Sequence, residues 1–378
     1  SIARIEEVKV RLEGSEDPFP AMPFGKPRLN HYAFLKYLRD VAADPDIDGV
    51  RLKLGEYGGG WARLLETRDA LKGLRQAGKK VFVYQESFAT PDLVLASVAD
   101  SISMPESGMV LLPGVAIEDW YMKDLFEKIH LRFDVVHIGE YKSAGESLVR
   151  DSMSKELKET HDPLLVELYG SMVKAIAEGR GISEDAVRGA IDEGILTPAR
   201  AKQLGLVDRI EYEDQFKEGL KSAFPGKTLK KAKDRFAKKE MQLDASNPFL
   251  MIGALMSSLF DKPQEPKGPK LAVIYCSGAI TSGKSEYDWN GDIAAMGSET
   301  IVEAIDTARK DADVKAIVLR INSPGGSALA SDVIWRAIEN AKATKPVIAS
   351  MGDVAASGGY YIACNSHVIL AAPQTITG

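Results

Sequence analysis

Ser357 stands in the run Ala355-Ala356-Ser357-Gly358-Gly359-Tyr360-Tyr361, where its neighbours are too small to shield a hydroxyl from an approaching substrate backbone. The run follows the apolar stretch Val347 to Met351 and the bend Gly352-Asp353, so the pattern predicts a strand, a tight turn and a helix opening near the serine. A helix start favours negative charge, which suits a serine that forms an anionic intermediate. The same residue also reads as an N-cap in a packed turn. Upstream, Asn322-Ser323-Pro324-Gly325-Gly326-Ser327 joins another strand to another helix. Two glycines there permit a turn whose amide hydrogens point outward and hold a developing oxyanion, although Gly-Gly also serves in ordinary connections.

Other chemistries have less to work with. The five histidines, His31, His130, His137, His161 and His367, show no metal-ligand spacing, so no metal is expected. A Ser-His-Asp triad would draw on His367 and Asp353, but the first opens the strand-like run Val368-Ile369-Leu370 and the second lies in the turn before the serine. Both read as polar punctuation, and His130 and His137 as structural.

These motifs sit in a chain of 378 residues, 45% apolar and 27% charged, enough for one large or two medium domains with buried cores. The net charge of −6 argues against wholesale nucleic-acid binding. Two cysteines, Cys276 and Cys364, allow at most one disulfide. No stretch approaches the ~18 continuous apolar residues of a membrane span. Ser1 is not a start methionine and the chain stops at Thr375-Ile376-Thr377-Gly378, so the expectation is a fragment of a longer protein.

The elements that must position the motifs occur twice. Asp311 to Ile321 parallels Asp44 to Leu54 at an offset of 267 residues, and Gly325-Gly326 then falls on Gly58-Gly59. Pro346 to Ser350 matches Lys80 to Tyr84 at an offset of 266. Each unit reads as strand, Gly-rich turn, helix, strand, turn, helix, strand. The strands Ala316 to Ile321, Val347 to Ser350 and Val368 to Leu370 are nearly continuous in apolar character, as expected of strands buried on both faces. Val333, Ile334, Ala337, Ile338 and Ala341 make one helix face, approximated in the first unit by Leu64, Leu65, Leu71 and Leu74. The alternation predicts an α/β fold with parallel sheets and right-handed βαβ crossovers, built twice. Residues 1–218 form the first unit and 271–378 the second, apparently cut short at its C-terminal side. Between them, 219–270 holds the basic residues Lys221, Lys227, Lys230, Lys231, Lys233, Arg235, Lys238 and Lys239, the 13-residue apolar run Pro248 to Phe260, and Pro263, Pro266 and Pro269. This reads as a linker helix with a docked apolar helix and an extended spacer, or as a segment lying on an anionic membrane surface.

The pairing of Asn322-Ser323-Pro324-Gly325-Gly326 with Ser357, 31 residues after Gly326, resembles the signal peptide peptidase A (protease IV) family, within the Clp-protease/crotonase superfamily. The resemblance extends through the first unit. Gly139-Glu140-Tyr141-Lys142-Ser143-Ala144-Gly145-Glu146 and Arg150-Asp151-Ser152-Met153-Ser154 are similar to the lysine segment of long, two-repeat members, and Thr197-Pro198 and Ala201 through Gly205-Leu206-Val207-Asp208 to the motif that closes that half.

What the resemblance implies is a Ser/Lys dyad. Ser357 is the nucleophile, Lys142 the general base, and the Gly326 and Gly358 amides the oxyanion hole. A free lysine titrates near 10.4, so roughly one in a few thousand is neutral at pH 7 and the amine must be desolvated to act. Val135, Val136 and Ile138 are the expected apolar wall and Ser143 a possible orienter of the amine. Pro91 occupies the position in the first unit that matches Ser357, so that half has lost its nucleophile. A second lysine would fall near position 408, past residue 378, leaving the first unit to contribute the base and the second the nucleophile. The resemblance further implies a serine endopeptidase without a cofactor. It would act on cleaved signal peptides and other membrane-associated peptides at an extracytoplasmic envelope site, as a ring-like homo-oligomer such as a tetramer. Two alternatives stay open: a crotonase-type acyl-CoA hydratase or isomerase, and a catalytically silent oligomeric scaffold.

Overall fold

The computed structural model describes residues 2–12, 30–231, 268–287 and 293–378. The run Lys233 to Lys239 and the apolar stretch Pro248 to Phe260 lie outside the described residues. Two parallel sheets carry the fold. In the first, β1 (Ile2–Leu12), β2 (Gly49–Tyr57), β3 (Lys80–Tyr84), β4 (Ser101–Met104), β5 (Arg209–Ile210) and β6 (Thr228–Lys231) lie in the order β5-β4-β3-β2-β1-β6. In the second, β7 (Lys270–Ser277), β8 (Val314–Ser323), β9 (Val347–Ala355) and β10 (Val368–Leu370) lie in the order β10-β9-β8-β7, with β11 (Ile376–Thr377) pairing the far end of β9. Strand Thr228–Lys231, within the expected linker, pairs in parallel with β1 and so belongs to the first sheet.

The duplication holds down to register. Helix α1 (His31–Ala43) and its counterpart Ser298–Lys310 are 267 residues apart at both ends. Val50 lies beside Val81 in the first sheet, and the matching Ile317 beside Val347 in the second. The strands alternate in burial, which corrects the expectation of burial on both faces. Val50 and Leu52 are fully buried and Leu54 nearly so, while Arg51 and Lys53 between them are half-buried on the opposite face. Strand β10 sits at the sheet edge with Val368, Ile369 and Leu370 all exposed.

Helices cover the buried faces. In α2 (Trp61–Gln76), Leu64, Leu71 and Leu74 point into a core shared with α3 (Thr90–Ala96) and the long helix α4 (Lys155–Arg180). A separate core lies under α5, the Ser298–Lys310 helix, and α6 (Ala328–Lys342). Ile334, Ala337, Ile338 and Ala341 fill it at helical spacing, whereas Val333 falls off the stripe and is 43% exposed.

The two units meet through charge. Asp353, from β9, accepts hydrogen bonds from the amides of Gly60 and Arg63 at 2.9 Å each and pairs with the Arg63 guanidinium. The second unit thus supplies the carboxylate that caps α2 of the first, at the positive end of its dipole. A side chain at Gly60 would collide with Asp353, so glycine is required there. One turn along α2, Glu66 takes a two-pronged contact from Arg320 at 3.0 and 3.1 Å and a 2.7 Å bond with His31. Burial alone would push the Glu66 carboxyl up, but the His31 hydrogen bond and the Arg320 charge outweigh it and hold it below its ordinary value. Gln374 reaches Ser171 and Glu167 on α4 at 2.5 and 3.2 Å. Cys276 and Cys364 are both free. Among the described residues no helix is long and apolar enough to cross a membrane.

Candidate active site

Strand β9 ends at Ala355, and α7 (Gly358–Ala363) begins three residues later. Ser357 is the hinge between them, with φ 52° and ψ −116°. A non-glycine residue in this region carries strain of order 1–3 kcal/mol, which persists only where the surroundings over-determine it. They do so here. Ala356 N–H donates to the Ser323 carbonyl, Ser357 N–H to the Gly378 carbonyl, and Val354 N–H to Asn322 Oδ1, at 3.0, 2.6 and 3.0 Å. The Ser357 hydroxyl makes no capping bond to α7, so the N-cap reading of this serine fails and its oxygen is left exposed.

The Asn322–Ser327 turn packs directly on the serine. Ser323 Oγ donates to the Gly278 carbonyl at 2.7 Å and accepts from Gly325 N–H at 3.1 Å, which fixes the turn from within. A Cβ on Gly325 would lie 2.5 Å from the Gly358 nitrogen, and one on Gly326 would lie 2.2 Å from the Ile280 carbonyl. Both glycines also have positive φ, 94° and 154°, so no other residue fits either place without moving backbone. Among the described residues neither the Gly326 nor the Gly358 N–H has an acceptor. Two free amides beside an exposed serine oxygen are what an oxyanion site needs.

Lys142 arrives from the first unit. Its Nζ lies 3.5 Å from Ser357 Oγ of the same chain, a bond between residues 215 apart in sequence. That is the loose end of hydrogen-bond geometry, as unliganded catalytic pairs often are. The loop that carries it is anchored to α4 on both sides of the lysine. Tyr141 donates to Glu159 Oε2 at 2.7 Å, and Glu146 accepts from the Ser154 hydroxyl and amide at 2.5 and 3.1 Å. Ser143, expected to orient the amine, makes a backbone bond to the Tyr141 carbonyl, and no hydrogen bond joins its hydroxyl to Lys142 among the described residues. Anchoring falls to Tyr141 and Glu146 instead, through their bonds to Glu159 and Ser154.

Among the described residues the expected apolar wall does not form. Val136 and Ile138 are 96% and 97% exposed, and Val135 packs on Gly145. Lys142 itself is exposed. The segment that holds these residues lies outside both cores, so nothing among the described residues dries the amine. His367 accepts from Val347 N–H at 3.1 Å and Asp353 is committed to Arg63, so neither joins a triad. The roles of Asp353, Arg63, Glu66 and Arg320 escaped the sequence reading because each pair is more than 250 residues apart and has no local motif.

A duplicated parallel α/β framework, a strained and exposed serine, free amides beside it and an amine at its oxygen define a serine-hydrolase type of site. Comparison with known proteins narrows this. The model for peptidase family S49 matches residues 73–224, which include Lys142, and 339–378, which include Ser357, and the chain belongs to that family. It is 32% identical over 338 residues to the chloroplastic serine protease SPPA of Arabidopsis thaliana, covering 89% of this chain and 48% of the relative. It is 33% identical over 351 residues to protease 4 of Salmonella typhi (90% and 53%) and 31% over 352 residues to protease 4 of Haemophilus influenzae (90% and 54%). The chain thus spans about half the length of these relatives.

Proposed function

We propose that the chain carries the catalytic site of a serine endopeptidase in which Lys142 is the general base for Ser357. The observation that carries this is the 3.5 Å approach of the Lys142 amine to the Ser357 hydroxyl across the two units. The neutral amine takes the hydroxyl proton as Ser357 Oγ attacks a peptide carbonyl. The negative charge on the carbonyl oxygen is met by the Gly326 and Gly358 amides, each free to donate. Collapse of the tetrahedral intermediate breaks the C–N bond, and the protonated lysine hands its proton to the departing amine. The acyl-enzyme is then hydrolysed by water deprotonated by the same lysine, and Ser357 recovers its proton. No metal or cofactor enters these steps.

The exposed lysine must be dried to act, and the surface beside it is apolar. Val136 and Ile138, a few residues before the lysine, are 96% and 97% exposed. A ring-like homo-oligomer such as a tetramer buries this surface against a neighbouring copy and desolvates the amine. The substrates are cleaved signal peptides and other membrane-associated peptides, at an extracytoplasmic, membrane-associated place in the cell envelope. The acyl-CoA alternative finds less support, since the acid nearest Ser357 in sequence, Asp353, is consumed by Arg63.

The test is turnover of an unfolded protein substrate and labelling by a fluorophosphonate. Ser357→Ala and Lys142→Ala should each abolish cleavage while leaving the melting temperature unchanged, and labelling should map to Ser357. Steady turnover by either variant would sink the dyad.

A further inference from the structure

A cavity of about 360 Å³ opens at the place in the first unit that corresponds to Ser357 in the second. That is within the usual range of ligand pockets, about 300–1,000 Å³. Pro91, the residue that replaces the nucleophile, is one wall. Trp61, Leu111, Ala116, Leu165 and Leu168 are among the others. The lining residues are largely apolar, and Leu111 and Ala116 among them are exposed. One wall is unpaired backbone: residues 114–116 form no regular structure, and their amides and carbonyls bond to nothing among the described residues. Free backbone next to an apolar pocket is the arrangement that receives an extended peptide, main chain to main chain and side chain into the hole.

We propose that this pocket binds an apolar side chain of a peptide substrate without cleaving it. The inference rests on the peptidase reading for the nature of the ligand. The chemistry that would cleave has been removed residue by residue. Pro91 offers no nucleophile, and where the second unit has Gly358 the first has Asp92, whose carboxylate caps the Ala89 amide at 2.9 Å and would repel an oxyanion. Two lining residues are also next in sequence to residues that bond across to the second unit. Trp61 follows Gly60, which donates to Asp353, and Leu168 follows Glu167, which meets Gln374.

The experiment uses the intact protein carrying Ser357→Ala and a capped decapeptide of leucine and alanine with one benzoylphenylalanine, photolysed and mapped by mass spectrometry. Adducts are expected on the segments around Leu111 to Ala116 and Leu165 to Leu168. Ala116→Trp, at an exposed position that leaves the core untouched, fills the pocket. It should lower that adduct yield at least about ten-fold, the factor implied by losing one buried leucine-sized side chain. Leu165→Asp should do the same by a different route. Adducts confined to the Ser357 region, or a yield unmoved by both variants, would overturn the proposal. Wild-type protein is assayed in parallel for cleavage of the same peptide. Pocket adducts without cleavage leave the binding site standing and fell the peptidase reading, whereas cleavage without pocket adducts does the reverse.

Discussion

The two matching turns of the duplicated units differ in the one feature that chemistry demands. In the first, the strand stops at Tyr84 and α3 opens from Ala89 at φ −87° and ψ 171°, with Pro91 in its first turn. This is a relaxed start, since proline is at home there. In the second, the strand runs on to Ala355 and delivers Ser357 at φ 52° into a place secured by Ser323, Asn322 and two glycines. The scaffold and register are the same. Of these two turns, the strain is kept in the one that carries Ser357, the proposed nucleophile, and is lacking in the one that carries Pro91. The proposed base shows the opposite division, since the unit without that serine contributes Lys142.

That contrast can be broken at several points. The largest effect is expected from Lys142→Arg, which keeps the positive charge but cannot give a neutral base at working pH. Turnover should fall by about 10²–10⁴, as for loss of a general base, with no change in melting temperature. Next comes the seam. Asp353→Ala strands a buried guanidinium and uncaps α2, and should cost about 3–5 kcal/mol in urea unfolding, with Asp353→Asn milder. A smaller effect is expected at Glu66, whose carboxyl is held below its ordinary value. A depressed acid stabilises the fold fully above its unfolded value and loses that contribution as pH falls through the folded one. Acid unfolding followed by circular dichroism should therefore begin at lower pH in the wild type than its remaining carboxylates would give, and Glu66→Gln should flatten that part of the curve. The smallest is Tyr141→Phe, which frees one anchor of the lysine loop and should lower kcat about two- to ten-fold without altering KM, the worth of one hydrogen bond.

Much of this was legible in the sequence, and the reasons are physical. The 267-residue offset survived because strand register and helix faces constrain residue type along the whole unit. Gly325 and Gly326 could be singled out because backbone comes too close for any Cβ, and Gly358 because the Ser331 hydroxyl does, which leaves a mark in residue identity. Ser357 and Lys142 came from a motif, and the fold then brought them to one place. Pairs such as Asp353 with Arg63 and Glu66 with Arg320 left no such mark, because a charge at either position alone reads as an ordinary solvated residue. The apolar wall of Val135, Val136 and Ile138 was misjudged for a related reason. Hydrophobic residues near a lysine in sequence say that something will bury them, without saying whether that something is the same chain.

Co-expression of two differently tagged inactive chains, one Ser357→Ala and the other Lys142→Ala, puts the central claim to the most direct test. If base and nucleophile belong to one polypeptide, every mixed assembly purified through both tags contains only broken sites and stays inactive in peptide hydrolysis. Activity restored in the mixed assembly, with each variant silent alone, would show that the amine serves a neighbour's serine and contradict the in-chain dyad.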